Sequence, residues 1–317
     1  MASLKLVPAK KRSDRTDSES NPTNPGKSLH IPKFVEPMSP TLVDEPPAGT
    51  GWLHEIKYDG YRTEIAIGEG GLRAFSRNGH DWTSKYGPIL DDARAVRCRS
   101  ALIDGEVCVQ DERGVTDFAQ LPGAIRKNPA RLIFFAFDLL HLDGEDLRAK
   151  PLEERRAKLR WLLQHAPGQI RLSDEFDGDG AAFFELADQL GLEGIVSKRK
   201  GSRYSSGDSS AWLKTKCWHT QVFNVVGVDR DAAGIPYALL ADETGYRGSA
   251  FVSLPNALRD AFWKYVEARG TAVAPVRGVK KAKATWLKPG LRASVRYLKG
   301  SDKLRHAAVR DIRIAKD

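Results

Sequence analysis

Cysteine is scarce in this chain. Cys98, Cys108 and Cys217 are the whole supply in 317 residues, and no two of them form a C-x-x-C pair. That scatter argues against a disulfide framework and against a cysteine-built zinc site, and it makes a reducing cytoplasm the expected compartment. Long apolar runs are missing too, since nothing approaches the ~20 residues of a membrane-spanning helix. The opening MASLKLVPAKKRSD lacks the apolar h-region of a signal peptide, so neither a membrane nor export is expected. Aromatic residues are absent from positions 1–29, where Ser, Asn, Pro, Asp and Lys predominate. Such a stretch buries too little apolar area to offset its ordering entropy and reads as a disordered basic tail. Its KKR cluster at 10–12 reads as a solvated basic run. No internal repeat is visible.

What is present bounds the rest. With 41% hydrophobic and 9% aromatic residues the chain can bury a substantial core, and 317 residues exceed what one core usually fills, so two domains are expected. Fifty Lys and Arg against forty-one Asp and Glu leave a net charge of +9. The excess favours a polyanionic partner such as nucleic acid, although solubility alone also accommodates it.

A proline-rich entry, IPKFVEPMSPTLVDEPPAGTG, is expected to run extended around the first domain. GWLHEIKYDGYRTEIAIGEGGLRAFSRNG then reads as strand, turn, strand, hairpin and strand, with Ile65 and Ile67 alternating with Glu64 and Ala66. SALIDGEVCVQ and RLIFFAFDLLHLDG read as apolar strands, and EGIVSKRKGSRY and SSAWLKTKCW as later ones. PLEERRAKLRWLLQH carries Leu152, Leu159, Leu162 and Leu163 at helical spacing behind a proline, and DGAAFFELADQLG is a second helix closed by Gly191. Past Trp218 the texture changes to short strands, one helix, NALRDAFWKYVEARG, and a basic loop, RGVKKAKATW. That rhythm fits a small five-stranded barrel of the OB type, with the boundary near 219. The expected fold is α+β: residues 30–218 with antiparallel sheets flanked by helices, then an all-β OB-fold domain over 219–317.

In HEIKYDGYR (54–62) a lysine, an aspartate, a glycine and an arginine fall within six positions. A lysine nucleophile must be deprotonated, and from a reference pKa of ~10.4 it needs neighbouring cations or a metal ion to bring it down. Gly60 permits a turn or the close approach of a ligand, and Arg62 offers a planar fork for phosphate or a sugar hydroxyl. Taken alone, the segment fits a polar hairpin turn better than a nucleophile. Asp104 and Glu106 in LIDGEV are two apart, so a strand turns both to one face of an otherwise apolar run. Carboxylates there must be paired, hydrogen-bonded or metal-bound. Glu193 in LEGIVSK adds another candidate metal oxygen, and magnesium typically takes one or two carboxylates with phosphate and water. Lys214 and Lys216 in AWLKTK share a strand face, which suits an anion between them as well as a solvated edge; Lys198 after GIVS is similar. Arg77 in FSRNG sits at a strand end beside a turn. Phe135 and Phe137 in FFAFDLL share a face and one could stack on a base, although core packing is the ordinary role of such residues.

Taken in order, KYDGYR, FSRNG, LIDGEV, FAFDLL, LEGIVSK and WLKTK resemble the nucleotidyltransferase motifs of the ATP-dependent DNA ligases. GWLHEIKYDGYR and FDLLHLDGEDLR look closest to the ligase module of bacterial end-joining ligases. The resemblance covers residues 31–317, and six motifs in order are far more specific than any one. It implies an ATP-grasp-like adenylyltransferase domain followed by the OB-fold domain. It also implies that Lys57 attacks the α-phosphate of ATP, releases pyrophosphate and becomes lysyl-AMP. The AMP would pass to the 5′-phosphate of a break, where the 3′-hydroxyl displaces it.

The resemblance assigns further roles. Glu55, through its backbone, would help to read the adenine on which Phe137 stacks. Arg62 and Arg77 would lie near the sugar and phosphates, and later near the 5′-phosphate of the DNA. Glu106 and Glu193 would serve the ribose and a Mg2+ (or Mn2+) ion, while Lys198, Lys214 and Lys216 would hold the phosphates. Arg313 and Lys316 fit the last motif, which contacts the pyrophosphate, but Ala315 stands where its aspartate usually lies. YRGSAFVSLP occupies the place of a glycine-rich element common in the module. Lys280, Lys281, Lys283 and Lys288 are expected to touch phosphates of the duplex. The implied partners are nicked or broken duplex DNA and a Ku-like end-binding protein, and the implied state is a monomer in a bacterial cytoplasm, associated with the nucleoid. The length suggests a minimal ligase without a DNA-encircling domain or polymerase and phosphoesterase modules.

Rivals share parts of this pattern. An RNA ligase and a GTP-using messenger-RNA capping guanylyltransferase share the lysine chemistry, and a DNA-binding OB protein with an inactive transferase domain would share the fold. The HEIKYDGYR and FDLLHLDG wording favours the DNA ligase reading over these. The NAD-dependent ligases are disfavoured because they carry a four-cysteine zinc module.

Overall fold

The computed structural model describes residues 29–277, 279, 281, 283–298 and 304–315. The expectations for residues 1–28, Lys280 and Lys316 lie outside the described residues. Two sheets with their helices are built between Met38 and Lys216, and a third between Trp218 and Ile314.

The first sheet runs Met38–Val43, Gly207–Lys216, Gly194–Arg199, Trp52–Ile56 and Glu175–Phe176. The proline-rich entry thus does more than wrap the domain: its middle is the edge strand of this sheet, paired parallel with Gly207–Lys216 and irregular between Pro40 and Thr41. An edge is where a proline's missing N–H is tolerated. The second sheet runs Gly71–Ser76, Tyr61–Gly68, Ala101–Cys108, Ile133–Leu142 and Glu145–Asp146, with Ile170–Leu172 joined parallel to Ile133–Leu142. The antiparallel architecture expected from the sequence is therefore interrupted by two parallel pairings. Each joins strands far apart in sequence, which no hairpin could connect. Between Ile133–Leu142 and Ile170–Leu172 the crossover is the helix Leu152–Leu163, which Pro151 precedes and whose Leu152, Leu159, Leu162 and Leu163 are buried.

Ile65, Ile103, Phe134 and Leu139 from the second sheet bury their side chains with Leu159, Leu162 and Leu163. A smaller core holds the two sheets together: Met38, Ala66, Leu102, Phe137, Leu140, Tyr204 and Trp212. Glu64 is a carboxyl group in this interior, only 1% exposed. Its Oε2 accepts the Val35 N–H at 3.1 Å, and its Oε1 is buried with no hydrogen-bond partner among the described residues. Burial, and after it the nearby Asp104, push its pKa from 4.5 up to about 8. Between those values the folded chain keeps a proton that the unfolded chain releases, so stability must fall as pH rises through that window. Glu64→Gln should flatten this slope and add ~2–4 kcal/mol at pH 8. Urea unfolding at intervals from pH 5 to pH 8 measures it, and an unchanged slope would refute the assignment.

In the third sheet, pairing passes from Trp218–Arg230 to Pro236–Asp242, Gly245–Val252, Arg305–Ile314 and Leu291–Leu298, then back to Trp218–Arg230. Phe223, Val225, Ala238, Leu240, Ala293, Val295 and Val309 form its core, with Phe262, Tyr265 and Val266 supplied by the helix Asn256–Arg269. Among the described residues no helix is long and apolar enough to cross a membrane.

Candidate active site

A cavity of about 630 Å³ is lined by residues of the first two sheets and of the segments that connect their strands, and by Arg305 and His306 of the third. Lys57 enters it directly after the strand Trp52–Ile56. Its N–H donates to Gly194 O at 2.9 Å, which extends the pairing by one residue and fixes where the side chain starts. Its Nζ donates to Glu193 Oε2 at 2.7 Å, and the other Glu193 oxygen lies 3.1 Å from Lys216 Nζ. Burial opposes ionisation of Glu193, but Lys57 and Lys216 outweigh it and hold the carboxyl below its usual range. Lys214 lines the same cavity, and burial followed by Lys57, Lys216 and Arg77 pushes its pKa down. Arg77 is exposed and donates to Ser39 Oγ at 3.4 Å. Two lysines thus share this carboxylate while Lys214 and Arg77 line the same cavity, an excess of positive charge that an added anion would relieve.

Gly60 is needed here for space. A Cβ at that position would lie 2.2 Å from Val107 O and 2.7 Å from Cys108 Sγ, so the loop after Lys57 can lie against its neighbour only without a side chain. The adjacent Asp59 pairs with Arg305 through two contacts, one of them Nη2 to Oδ1 at 2.6 Å. The Lys57 loop is thereby tied to the third sheet.

Arg62 stands opposite Glu106 in the register and reaches diagonally to Asp104, with Nε and Nη2 each 2.6 Å from a carboxylate oxygen. Tyr204 donates to the same Asp104 at 2.6 Å. The two acids of LIDGEV therefore have different tasks. Asp104 is fully buried and clamps Arg62, whereas Glu106 lines the cavity. Burial pushes Glu106 up to about 7, against the opposing pull of Lys57 and Arg62.

Of the two phenylalanines, Phe137 lines the cavity while Phe135 stacks on Tyr58 at 4.0 Å. The Arg62 guanidinium sits 4.5 Å and Lys198 Nζ 4.6 Å from the Phe137 ring centre, with Trp212 edge-on at 6.2 Å. Lys198 is buried, which pushes its pKa down, and it is held 2.7 Å from Glu55 Oε1. The other Glu55 oxygen accepts from Ser173 Oγ at 2.9 Å. The Glu55 side chain is thus committed to the interior. Lys198 supports the floor beneath Phe137 rather than projecting freely.

The remaining candidates lie elsewhere. Lys281, Lys283 and Lys288 are exposed and do not line the cavity. Lys281 is 2.9 Å from Asp229, at the opposite end of the strand Trp218–Arg230 from Trp218. Arg313 is exposed, faces Arg292 across the ladder and does not line the cavity. Arg305 and His306, from the start of the same strand, do line it, and sequence reasoning missed both. His306 has a φ of 47°, in the left-handed region that few residues other than glycine adopt. No residue type or periodicity announces such a turn at a histidine.

A family model described as the ATP dependent DNA ligase domain matches residues 34–216. The Pseudomonas aeruginosa multifunctional non-homologous end joining protein LigD is 39% identical over 214 residues, spanning 66% of this chain and 25% of that protein. This chain therefore spans about a quarter of the length of that relative. The SPbeta prophage-derived DNA ligase-like protein LigB of Bacillus subtilis is 31% identical over 185 residues, 57% of this chain and 67% of the relative. Among solved structures, a mycobacterial DNA ligase D complexed with ATP and MES superposes with a TM-score of 0.56 at 30% identity, covering 89% of this chain and 95% of that one. A Lig E DNA ligase shares the fold at 16% identity, with a TM-score of 0.58 and 87% of this chain covered. The matched region takes in every lining residue from Pro37 to Lys216, and it makes this chain a member of the ATP-dependent DNA ligase family.

Proposed function

We propose that the protein seals 5′-phosphate/3′-hydroxyl breaks in duplex DNA with ATP, through a covalent AMP on Lys57, in the repair of broken ends. The observation that carries this reading is the convergence of Lys57, Lys214, Lys216 and Arg77 with Phe137 in one cavity. Adenine would stack on Phe137 against backbone offered by Glu55, and the triphosphate would lie among the cations. Attack by Lys57 Nζ forms an N–P bond to the α-phosphorus and breaks the P–O bond to the departing pyrophosphate. The Lys57 proton must pass to solvent before Nζ attacks, and the 2.7 Å hydrogen bond to Glu193 orients the amine in the cavity. Cations around the α-phosphate then stabilise charge as it develops. Transfer of AMP to the DNA 5′-phosphate and its displacement by the 3′-hydroxyl complete the joining.

A divalent cation such as Mg2+, when bound, would neutralise phosphate charge. Glu106 and Glu193 are the carboxylates that would hold it, a small set of the kind this ion accepts when phosphate and water complete its shell. Residues 30–218 would act as the ATP-grasp-like adenylyltransferase domain and 219–317 as an OB-fold barrel whose Arg305 closes on Asp59. The protein would work as a monomer in a bacterial cytoplasm, with a Ku-like end-binder as its partner.

Incubation with labelled ATP, then with a nicked duplex, tests the proposal. Covalent labelling by ATP followed by sealing is the expected result. Labelling by GTP alone, or sealing confined to RNA ends, would overturn it in favour of a capping guanylyltransferase or an RNA ligase.

A further inference from the structure

The outer face of the third sheet carries arginines in an order set by its register. Arg292 and Arg313 are direct partners across the ladder between Leu291–Leu298 and Arg305–Ile314, and Asn224 faces Arg292 from the other side. Arg296 lies four residues along the same strand, ~13 Å away at ~3.3 Å per residue. Arg310 is near enough to Arg296 to depress its pKa further, after burial. Among the described residues none of these four arginines has a carboxylate within salt-bridge distance. Asp311, opposite Ser294, belongs to the same face, and Asp44 exerts a weaker opposing pull on Arg296. Like charges placed directly opposite in a ladder, as Arg292 and Arg313 are, are destabilising, and a bound anion such as phosphate would offset that cost.

The face also leads to the active site. The Arg296 guanidinium is 4.5 Å and Lys216 Nζ 5.5 Å from the centre of the Trp218 ring. Lys216 is 3.1 Å from Glu193, which holds Lys57. A phosphate chain following Arg292, Arg310 and Arg296 would arrive at Trp218 and then at the nucleophile. The lysines flanking the strand Thr285–Leu287, which are Lys281, Lys283 and Lys288, offer no such route. Lys281 is already paired with Asp229, at the far end of its strand from Trp218.

We infer that this arginine face, and not the lysines at 281, 283 and 288, binds the phosphate backbone of the DNA strand whose end enters the cavity. Arginine suits that task because its fork donates to two phosphate oxygens at once. The inference rests on the proposed ligase function, and its test separates the two. Binding of a fluorescent nicked duplex is measured from 50 to 200 mM salt for the full chain, for Arg292→Gln/Arg310→Gln and for Lys281→Gln/Lys283→Gln. Covalent labelling by ATP without DNA is recorded for each as the control for an intact fold. The arginine pair should lower the slope of log affinity against log salt by roughly two, since each phosphate contact contributes about 0.9. The lysine pair should leave the slope within about half a unit of the wild type.

An unchanged slope in the arginine variant, with the loss appearing in the lysine variant instead, would overturn the inference. So would wild-type binding that does not depend on salt. Failure of the wild type to label with ATP would instead overturn the ligase reading, while the slopes would still report on the face.

Discussion

Lys57→Ala should abolish covalent labelling by ATP, cutting its rate by at least about 10⁴-fold, because on the proposed mechanism Lys57 is the covalent nucleophile and its loss removes the step itself and not merely a favourable contact. The fold should survive. The Lys57 side chain is 21% exposed, and Glu193 keeps Lys216 as a partner at 3.1 Å, so no buried carboxylate is left uncompensated. The cost in stability should therefore stay within about 1 kcal/mol, the range of partly solvated ion pairs. Lys57→Arg makes the sharper control. It preserves the cation beside Glu193, but a guanidinium cannot give up its proton at working pH and so cannot attack. Intact-mass measurement after incubation with ATP reads both variants. An AMP adduct on either would move the nucleophile to another cavity lysine, with Lys214 and Lys216 the alternatives.

The positions around Lys57 were legible because each motif is short and rigidly placed. Once KYDGYR, LIDGEV, LEGIVSK and WLKTK occupy neighbouring strands, the register brings Lys57, Arg62, Glu106, Glu193, Lys214 and Lys216 around one cavity. The helices at Leu152–Leu163, Gly180–Gln189 and Asn256–Arg269 were legible for similar local reasons, among them the Asp179 side chain that caps the second by accepting from Ala181 N–H. The short helices Gly87–Ala93 and Leu121–Lys127 were not, since seven residues carry fewer than two full periods of any pattern. The parallel edge strand was hidden for a different reason. Met38–Val43 is specified by its fit to Gly207–Lys216, more than 160 residues later, and by nothing within itself. The Asp59–Arg305 contact is equally non-local, spanning 246 positions. Roles divided between like residues were the hardest to see. Asp104 and Glu106 look interchangeable in LIDGEV until Arg62 and Tyr204 are found to claim only the first.

Asp138→Ala should be the most destabilising single change at the site's support, costing about 3–5 kcal/mol, because it leaves a buried guanidinium without its counter-charge. Asp138 and Arg155 are both fully buried, joined by Nε to Oδ1 at 2.7 Å and Nη2 to Oδ2 at 2.8 Å. The remaining donor, Arg155 Nη1, is spent on Lys150 O at 2.7 Å and Ser202 O at 2.9 Å. Water cannot reach the orphaned charge without opening the contact between the helix Leu152–Leu163 and the strand Ile133–Leu142. Urea unfolding measures the loss, and a change below about 1 kcal/mol would show that the pair does not constrain this corner of the fold. The companion variant Asp138→Ala/Arg155→Met separates the pair's net value from the penalty of an unpaired charge. It should recover most of the stability, since replacing both partners with apolar groups removes the desolvation cost together with the attraction. Phe137 precedes Asp138 on the strand, and Arg156, next to Arg155, donates to Phe137 O at 3.1 Å. Loosening this corner should therefore also weaken ATP use through a higher KM, with the Lys57 step itself left intact. The aspartate of the FDLL segment would then be a positioning residue, holding from below the ring on which the nucleotide is proposed to rest.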